Sequence, residues 1–174
     1  MTSDAQIVAL IKDNTEVELL NDGQEGAIVV DKTPFYAEAG GQSGDQGVIK
    51  IGDAVFTVTD TKKAGNATVH FGSVSGVIEV NTQVIADVDV NRRKAIGLNH
   101  SVTHLAHAAL RKVVGENVQQ KGSLVLPERL RFDFSHFEGV TSAQLLEVER
   151  LVNAQIRANH EVVTEVMDID AARE

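Results

Sequence analysis

A change in hydrophobic period near Asn91 constrains the fold of this 174-residue chain more than any other feature of its sequence. Before that point, short apolar or alternating runs are separated by Gly, Asn, Asp and Lys, with a turn signal roughly every ten residues. These runs are QIVALI, GAIVV, GVIKI, AVFTVTD, ATVHF, GVIEV and VIADVDV. Short strands at this spacing, without helical patterns between them, predict a closed β-barrel or a β-sandwich.

After the change, apolar residues recur at helical spacing. Asn91 carries a side chain that favours the N-cap position, and we predict a helix from there to Val114, ended by Gly115. The apolar stripe of this helix is predicted to consist of Leu98, Val102, Leu105, Ala109 and Val113. This stripe should face the core.

The rest of the second half predicts a hairpin, a helix and a strand. GSLVLPERLRFDF alternates on both sides of a turn near Pro127 and Glu128, and a second helix should run from about Ser142 to Ala158. Its inward residues are predicted to be Leu145, Val148, Val152 and Ile156. The segment EVVTEVMDI is predicted to be a closing strand. This order predicts an α+β fold, with a β-barrel subdomain at residues 1–90 and an α+β domain at 91–174.

Composition narrows the class of protein. Hydrophobic residues make up 43% and charged residues 24% of the chain, as in ordinary globular domains. No apolar run approaches the roughly 18 residues of a membrane span, and the N-terminus lacks the pattern of a signal peptide. We therefore expect a cytoplasmic protein that does not bind membranes. The absence of cysteine excludes disulfides and thiolate metal ligands within this chain.

Charge is unevenly distributed along the sequence. A net charge of −9 argues against a surface that binds nucleic acid on all sides. The second half nevertheless contains a cluster of basic residues: Arg92, Arg93, Lys94, Arg111, Lys112, Lys121, Arg129 and Arg131. They form either a local basic patch or the ordinary solvated surface of a helix and a hairpin.

Three of the six histidines lie in the predicted helix, within LNHSVTHLAHAAL. His100 and His104 are four residues apart, the spacing at which a helix presents two imidazoles to one zinc ion. At about 100° per residue they lie roughly 200° and 240° around the helix from Leu98. They are either metal ligands or part of a polar, solvated face. His107 is a third candidate, but one straight helix rarely brings three imidazoles to one tetrahedral ion.

Other polar residues also have two interpretations. Thr103 lies at the edge of the histidine face, where its hydroxyl either binds a polar substrate group or bonds back to its own helix. Arg131 and Asp133 share one face of the predicted strand with Ser135, and they contact either substrate or solvent. His136 ends that strand.

The segment EAGGQSGDQG holds four of the fourteen glycines of the chain. No Gly-Lys-Ser/Thr follows it, so the segment is not a phosphate-binding loop of the Walker type. Tight turns of a barrel explain the glycines, and close approach of a ligand to the backbone is the alternative.

Three long segments together resemble one family. TPFYAEAGGQSGDQG, LNHSVTHLAHAALR and QKGSLVLPERLRFDFSHFE resemble the editing region of alanyl-tRNA synthetases and their free-standing relatives called AlaX. The resemblance covers nearly the whole chain. It implies hydrolysis of the ester of alanine tRNA mischarged with serine or glycine. It also implies a small β-barrel followed by an α+β domain similar to the editing domain of threonyl-tRNA synthetase.

The resemblance also assigns roles to residues near the editing pocket. Gln120 matches a glutamine at that pocket, and Thr103 matches a threonine placed to meet the serine hydroxyl. Gly40 and Gly41 match the paired glycines of the barrel, which face the catalytic pocket. The implied partners are the acceptor end of tRNA(Ala) and the remainder of a parent synthetase. No aminoacylation domain is recognisable, so activation of alanine and binding of ATP are not expected.

The resemblance implies zinc as the cofactor. His100 and His104 correspond to two of the family's zinc ligands, and the others come from a downstream C-x-x-x-H motif. Because the sequence ends at Glu174 before such a motif, we expect a fragment that binds zinc weakly and hydrolyses slowly. His107 or His136 are possible substitute ligands. The alternatives are a non-catalytic module that binds the acceptor end of tRNA and a structural spacer.

Overall fold

The first half of the chain is a closed barrel of six antiparallel strands. The structure is a computed structural model that describes residues 1–163 and 165–173. The strands of this half are β1 (Thr2–Lys12), β2 (Thr15–Val17), β3 (Leu19–Leu20), β4 (Glu25–Val30), β5 (Gly47–Ile51), β6 (Ala54–Ala64), β7 (Ala67–Ser75), β8 (Ile78–Glu79) and β9 (Gln83–Val88). The barrel order is β1-β4-β7-β6-β5-β9, and pairing of β9 with β1 closes it. Of the two architectures predicted for this half, the structure shows the barrel.

The barrel interior is a continuous aliphatic core, because alternate residues of each strand point inward. Ile7, Ile28, Ile49 and Phe56 are fully buried there. The short strand β2 extends the sheet beside β1, and β3 pairs with β8 outside the barrel. Closure leaves few exposed strand edges, which gives the loops between strands a rigid support.

His70 is a fully buried polar residue of this half. Its Nδ1 lies 3.0 Å from the Ile28 carbonyl oxygen, and its Nε2 lies 2.8 Å from the Thr33 hydroxyl. The first contact requires a proton on Nδ1, so Thr33 donates to Nε2. Burial lowers the pKa of His70, and the bond to Ile28 opposes that shift. The residue is therefore a neutral, satisfied hydrogen-bonding group that holds the segment after β4.

The second half contains two helices and a hairpin. Its elements are α1 (Val90–Val114), β10 (Gln119–Val125), β11 (Leu130–Ser135), α2 (Ser142–Ala158) and a 3₁₀ turn (Ala171–Arg173). The predicted hairpin, the end of α1 at Val114 and the bounds of α2 are confirmed. The α+β fold class is also confirmed, whereas the division into domains at residue 90 stays a prediction.

For α1, the predicted N-cap was wrong and the predicted apolar stripe was right only in part. The N-cap is Asp89 rather than Asn91, and its side chain accepts a hydrogen bond from the Arg92 backbone. The buried residues of the helix are Ile96, Thr103, Ala109 and Leu110, whereas Leu98 is 71% exposed. Ala109 is buried as predicted, so the buried face overlaps the predicted stripe there and is otherwise rotated away from it. It contains Thr103 because the helix lies against the loop and hairpin described below.

Two predictions for the C-terminal part were also wrong. No residue of α2 is buried, and Leu145 and Ile156 are exposed although they were predicted to face inward. The described residues of the segment EVVTEVMDI, which exclude Thr164, form no strand and are exposed. Neither α1 nor α2 is long and apolar enough to cross a membrane.

Candidate functional site

Two arginines fix the first turn of α1 to the barrel segment EAGGQSGDQG, residues 38–47, which is called the glycine-rich loop below. Arg93 pairs with Asp45, whose side chain is almost completely buried, and also donates to the Pro34 carbonyl oxygen over 2.7 Å. Arg92 donates to the Gly44 carbonyl oxygen over 2.9 Å. Asp45 accepts a further hydrogen bond from the Tyr36 backbone N–H. These contacts fix the direction in which α1 leaves the barrel.

The same loop also lies against the hairpin. Gln42 forms an isolated parallel bridge with Val125 at the end of β10, and the Val125 N–H donates to the Gly41 carbonyl oxygen over 2.8 Å. Gly41 has a φ of 83°, and a Cβ atom there would overlap the Ser123 backbone carbonyl. Glycine is therefore required at Gly41 both by its backbone conformation and by the close approach of β10.

This packing brings Gln42 to the histidines of α1. The His100 Nδ1 lies 2.6 Å from the Gln42 Oε1, and the rings of His100 and His104 stack with centroids 5.2 Å apart and an 18° angle between planes. With the amide oxygen as acceptor, Nδ1 carries the proton and Nε2 keeps its lone pair. His104 is exposed. The Gln42 contact thus holds the His100 ring in one orientation beside the exposed His104 ring.

A metal ion at this pair needs further ligands. Zinc sites in proteins are usually tetrahedral, and two imidazoles supply half of that set. Among residues 1–163 and 165–173, no group of three or more His, Asp or Glu side chains is placed to hold a metal ion. The ring orientation fits a ligand role for His100, because ligating histidines commonly donate their other ring N–H to a neighbouring oxygen.

The two further histidines considered as substitute ligands, His107 and His136, each have a buried ring nitrogen. His107 packs on Phe132 of β11, with ring centroids 5.2 Å apart, and its Nε2 is buried without a partner in the described part of the chain. The Nδ1 of His136 is buried and unpaired within the same residues. His136 lines a cavity of about 70 Å³ together with Asn117, Ser135 and Phe137.

Thr103 is buried, with 6% of its surface exposed, and donates to the Asn99 carbonyl oxygen over 2.8 Å. Asn99 in turn donates from its side-chain amide to the carbonyl oxygens of Leu126 and Pro127, over 2.7 and 3.1 Å. The Thr103 hydroxyl therefore bonds back to its own helix, as in the second interpretation of the sequence. Its lone pairs leave it able to accept a hydrogen bond.

The remaining predicted site residues lie on the hairpin. Gln120 is exposed beside a bulge in β10, opposite Phe134. Arg131 and Asp133 form an exposed ion pair with a distance of 3.1 Å. The hydrogen bonds of the described residues join Gly40 and Gly41 to β10, close to the Gln42–His100 contact. They do not join Gln120, Arg131 or Asp133 to the histidines.

Sequence reasoning missed Gln42, Asp45 and Asn99 as site residues. All three lie in segments whose motifs were singled out, but their partners are 58, 48 and 27 residues away along the chain. Neither interpretation of the basic cluster, a local patch or a solvated surface, foresaw that the Arg92 and Arg93 side chains bond within the structure. The ion pair could have been suspected from the sequence, because an acidic residue in the loop, Asp45, is followed by an arginine at the start of the next helix, Arg93.

The comparisons with known proteins identify the family. Residues 1–92 match the family model described as tRNA synthetases class II (A), and the chain belongs to that family. Over 172 residues it is 52% identical to the alanine–tRNA ligase of Legionella pneumophila (strain Corby), and over 173 residues it is 56% identical to that of Pseudomonas syringae pv. syringae (strain B728a). These matches cover 98% and 99% of the chain and 20% of each relative.

The resemblance to alanyl-tRNA synthetases inferred from the three segments is thereby confirmed. The chain spans about a fifth of the length of these curated relatives.

Proposed function

We propose that this chain is the editing region of an alanine–tRNA ligase and contributes to hydrolysis of the ester in mischarged Ser-tRNA(Ala) or Gly-tRNA(Ala), in the cytoplasm. The observation that carries this proposal is the contact of His100 with Gln42, which fixes two stacked imidazoles beside the glycine-rich loop. The proposal includes a likeness of residues 91–174 to the editing domain of threonyl-tRNA synthetase.

Zinc is proposed as the cofactor. His100 and His104 would hold it together with ligands from outside this chain, and a bound zinc ion supplies Lewis acidity for ester hydrolysis. The contribution of this chain is to hold the His100 ring in one orientation through Gln42. The loop contacts of Arg92 and Arg93 keep that helix in place.

Thr103 gives a physical basis for selecting serine. Because its hydroxyl proton is donated to Asn99, it meets a serine side chain as an acceptor. Serine can donate to it and alanine cannot, and a site built to bond a hydroxyl discriminates better than one that selects by size. Because Thr103 is largely buried, this contact requires the substrate to reach the edge of the α1–loop interface.

The acceptor end of tRNA is proposed to approach along the hairpin. Lys121, Arg129 and Arg131 are exposed there, and lysine and arginine side chains bind phosphates. On a chain with a net charge of −9, such a local surface sets where a polyanion binds. Asp133 reduces the charge available from Arg131, so Lys121 and Arg129 are expected to contribute more.

Release of serine from Ser-tRNA(Ala) tests the proposal. The 174-residue chain and a chain extended to the length of the relatives should be compared, with Ala-tRNA(Ala) as the control substrate. We expect the extended chain to release serine and to lose that activity with His100→Ala or His104→Ala. We expect the 174-residue chain to be slow. Equal rates of serine release by the two chains would contradict the proposal that the zinc site of the 174-residue chain is incomplete. Full activity of the His100→Ala and His104→Ala variants of the extended chain would contradict the assignment of these histidines to the site.

A non-catalytic module that binds the acceptor end is the second candidate. It is favoured because the described residues offer only two imidazoles, His100 and His104, and no third side chain placed to complete a catalytic metal site. Gel shift of serylated tRNA by the extended chain without release of serine would support this candidate instead. Failure to bind any tRNA at low salt would contradict both, because phosphate contacts strengthen as salt falls.

A further inference from the structure

An open groove of about 510 Å³ lies between the glycine-rich loop and the first turns of α1. It is lined by Pro34, Phe35, Tyr36, Gln42, Arg93 and Gly97. Its size is in the range of small-molecule sites and exceeds what a seryl or glycyl group requires. The groove is therefore free to hold another part of a substrate.

One wall of the groove is an aromatic ring held in place. The Tyr36 side chain is 38% exposed, its hydroxyl donates to the Ala39 carbonyl oxygen over 3.1 Å, and its backbone N–H donates to Asp45. On the helix side, Gly97 has no side chain, and a Cβ atom there would have no neighbour within 4 Å. A planar group can thus reach the Tyr36 ring.

The charge in the groove is largely neutralised. Arg93 is the cation of its lining, and its guanidinium is paired with the Asp45 carboxylate and bonded to the Pro34 carbonyl oxygen. A phosphate would therefore find no free cation among the lining residues. A neutral planar ring that stacks on tyrosine fits this chemistry better, and base stacking on aromatic side chains is a general mode of binding single-stranded nucleic acid.

Gln42 connects the groove to the histidines. It lines the groove and accepts the His100 Nδ1 proton over 2.6 Å through its oxygen, which leaves its amide nitrogen to donate to an occupant. An ester on the terminal ribose of tRNA lies directly beside the terminal base. A base held by Tyr36 and Gln42 would thus place that ester next to His100.

We propose that this groove binds the terminal nucleoside of the acceptor strand, with its base stacked on Tyr36. The inference rests on the proposed function, because it takes the acceptor end of tRNA as the ligand. It adds the residues that hold the last nucleotide, Tyr36 and Gln42, and assigns Gly97 the role of leaving room for it. The contact is one of binding and positioning, separate from the hydrolytic step.

The test measures binding of two RNA hairpins by fluorescence anisotropy with the 174-residue chain. Both carry the acceptor stem of tRNA(Ala), one ending in CCA and the other in CC. Since one stacked base contributes about 1–3 kcal/mol, the chain should bind the CCA hairpin about 5- to 150-fold more tightly. Tyr36→Ala should remove this preference, and Tyr36→Phe should retain it.

Two further variants keep the test decisive. Phe71→Ala removes a ring of similar exposure, 41%, from another surface of the barrel and should leave the preference unchanged. Gly97→Leu replaces a helical glycine where a Cβ has room, so the variant should fold, and its side chain should fill the groove and remove the preference. Thermal denaturation checks that each variant is folded.

The outcomes separate this inference from the proposed function. Equal binding of the CCA and CC hairpins by the wild-type chain would overturn the inference, and release of serine by the extended chain would still support the proposed function. Persistence of the preference in both Tyr36→Ala and Gly97→Leu would overturn it as well. If the chain binds neither hairpin, the inference is overturned. If the extended chain also releases no serine from Ser-tRNA(Ala), the proposed function is overturned as well.

Discussion

Arg93 and Asp45, which are 48 residues apart, form the ion pair that joins the first turn of α1 to the glycine-rich loop. The Asp45 side chain is only 2% exposed and that of Arg93 is 29% exposed. The pair is surrounded by backbone partners, since Asp45 also accepts from Tyr36 and Arg93 also donates to Pro34. Each charge therefore depends on the other for compensation in a poorly hydrated place.

Asp45→Asn is predicted to destabilise the chain strongly. It preserves the shape of the side chain and leaves the Arg93 guanidinium without its anion, and removing one partner of a buried pair costs about 3–5 kcal/mol. Urea denaturation measures the free energy of unfolding. The control is Glu147→Gln, which removes the anion of an exposed pair with Arg150 and should cost less than about 1 kcal/mol. Equal effects of both substitutions would contradict the structural role of Asp45.

Zinc is predicted to bind the 174-residue chain weakly. His100 and His104 supply two nitrogen donors, and the described residues add no third acidic or histidine ligand. Calorimetric titration of zinc into the metal-stripped chain should show weak binding that His104→Ala abolishes. The extended chain should bind one zinc ion tightly. Tight one-to-one binding by the short chain, lost with His104→Ala, would mean that ligands are found locally or in a second copy.

Most of the fold follows from local sequence patterns. The barrel strands alternate inward and outward residues, and the hairpin and both helices have clear turn or cap signals, as at Thr141 before α2. The predictions failed where a local sequence pattern is compatible with more than one tertiary arrangement. Asp89 and Asn91 are both good N-cap residues, and the tertiary contacts of Arg92 and Arg93 favour the earlier start. Similarly, apolar spacing in α2 did not guarantee burial, because α2 packs against α1 and yet leaves Leu145 53% exposed.

The candidate site was predictable only in part. The spacing of His100 and His104 placed them side by side on a helix, and the stacked rings agree with that arrangement. The Gln42–His100 contact depends on how the barrel loop, α1 and β10 pack together, which no local periodicity encodes. For the same reason the buried side of α1 was misplaced at Leu98. The buried side of α1 includes a polar residue, Thr103, which an apolar stripe does not predict.

His70 is predicted to make the chain less stable as the pH falls below about 6.5, the ordinary pKa of histidine. Burial lowers its pKa in the folded state, so the unfolded chain takes up a proton first. Its contribution to stability is fully present above about pH 6.5 and is lost as the pH falls toward the lower folded-state pKa, with a slope of at most about 1.4 kcal/mol per pH unit.

Melting temperatures between pH 7.5 and pH 5 check this prediction. The wild-type chain should lose stability more steeply over this range than His70→Gln, because residue 70 no longer titrates in the variant while its other histidines are unchanged. The absolute stability of the variant is not the readout, because Gln also changes the contacts with Ile28 and Thr33. Parallel pH profiles for the two proteins would mean that His70 does not contribute to the acid sensitivity.

The paired glycines of the loop give the sharpest matched comparison. Gly40 and Gly41 both have a positive φ, 59° and 83°. A Cβ atom at Gly40 has no neighbour within 4 Å, whereas one at Gly41 would overlap Ser123 of β10. Gly40→Ala should therefore cost only the left-handed backbone term of about 1–2 kcal/mol. Gly41→Ala should cost a further ~1–3 kcal/mol, as overpacking does.

The two substitutions should also differ in their effect on the site. Gly41→Ala pushes the loop off β10 and moves Gln42, which is bridged to Val125, away from His100. In ¹⁵N spectra of the histidine rings, the Nδ1–H signal of His100 should exchange faster with water in Gly41→Ala and remain protected in Gly40→Ala. Urea denaturation gives the stability difference in the same samples. If Gly40→Ala has the larger effect on both measurements, the loop does not contact β10 through Gly41, and the placement of Gln42 beside His100 must have another cause.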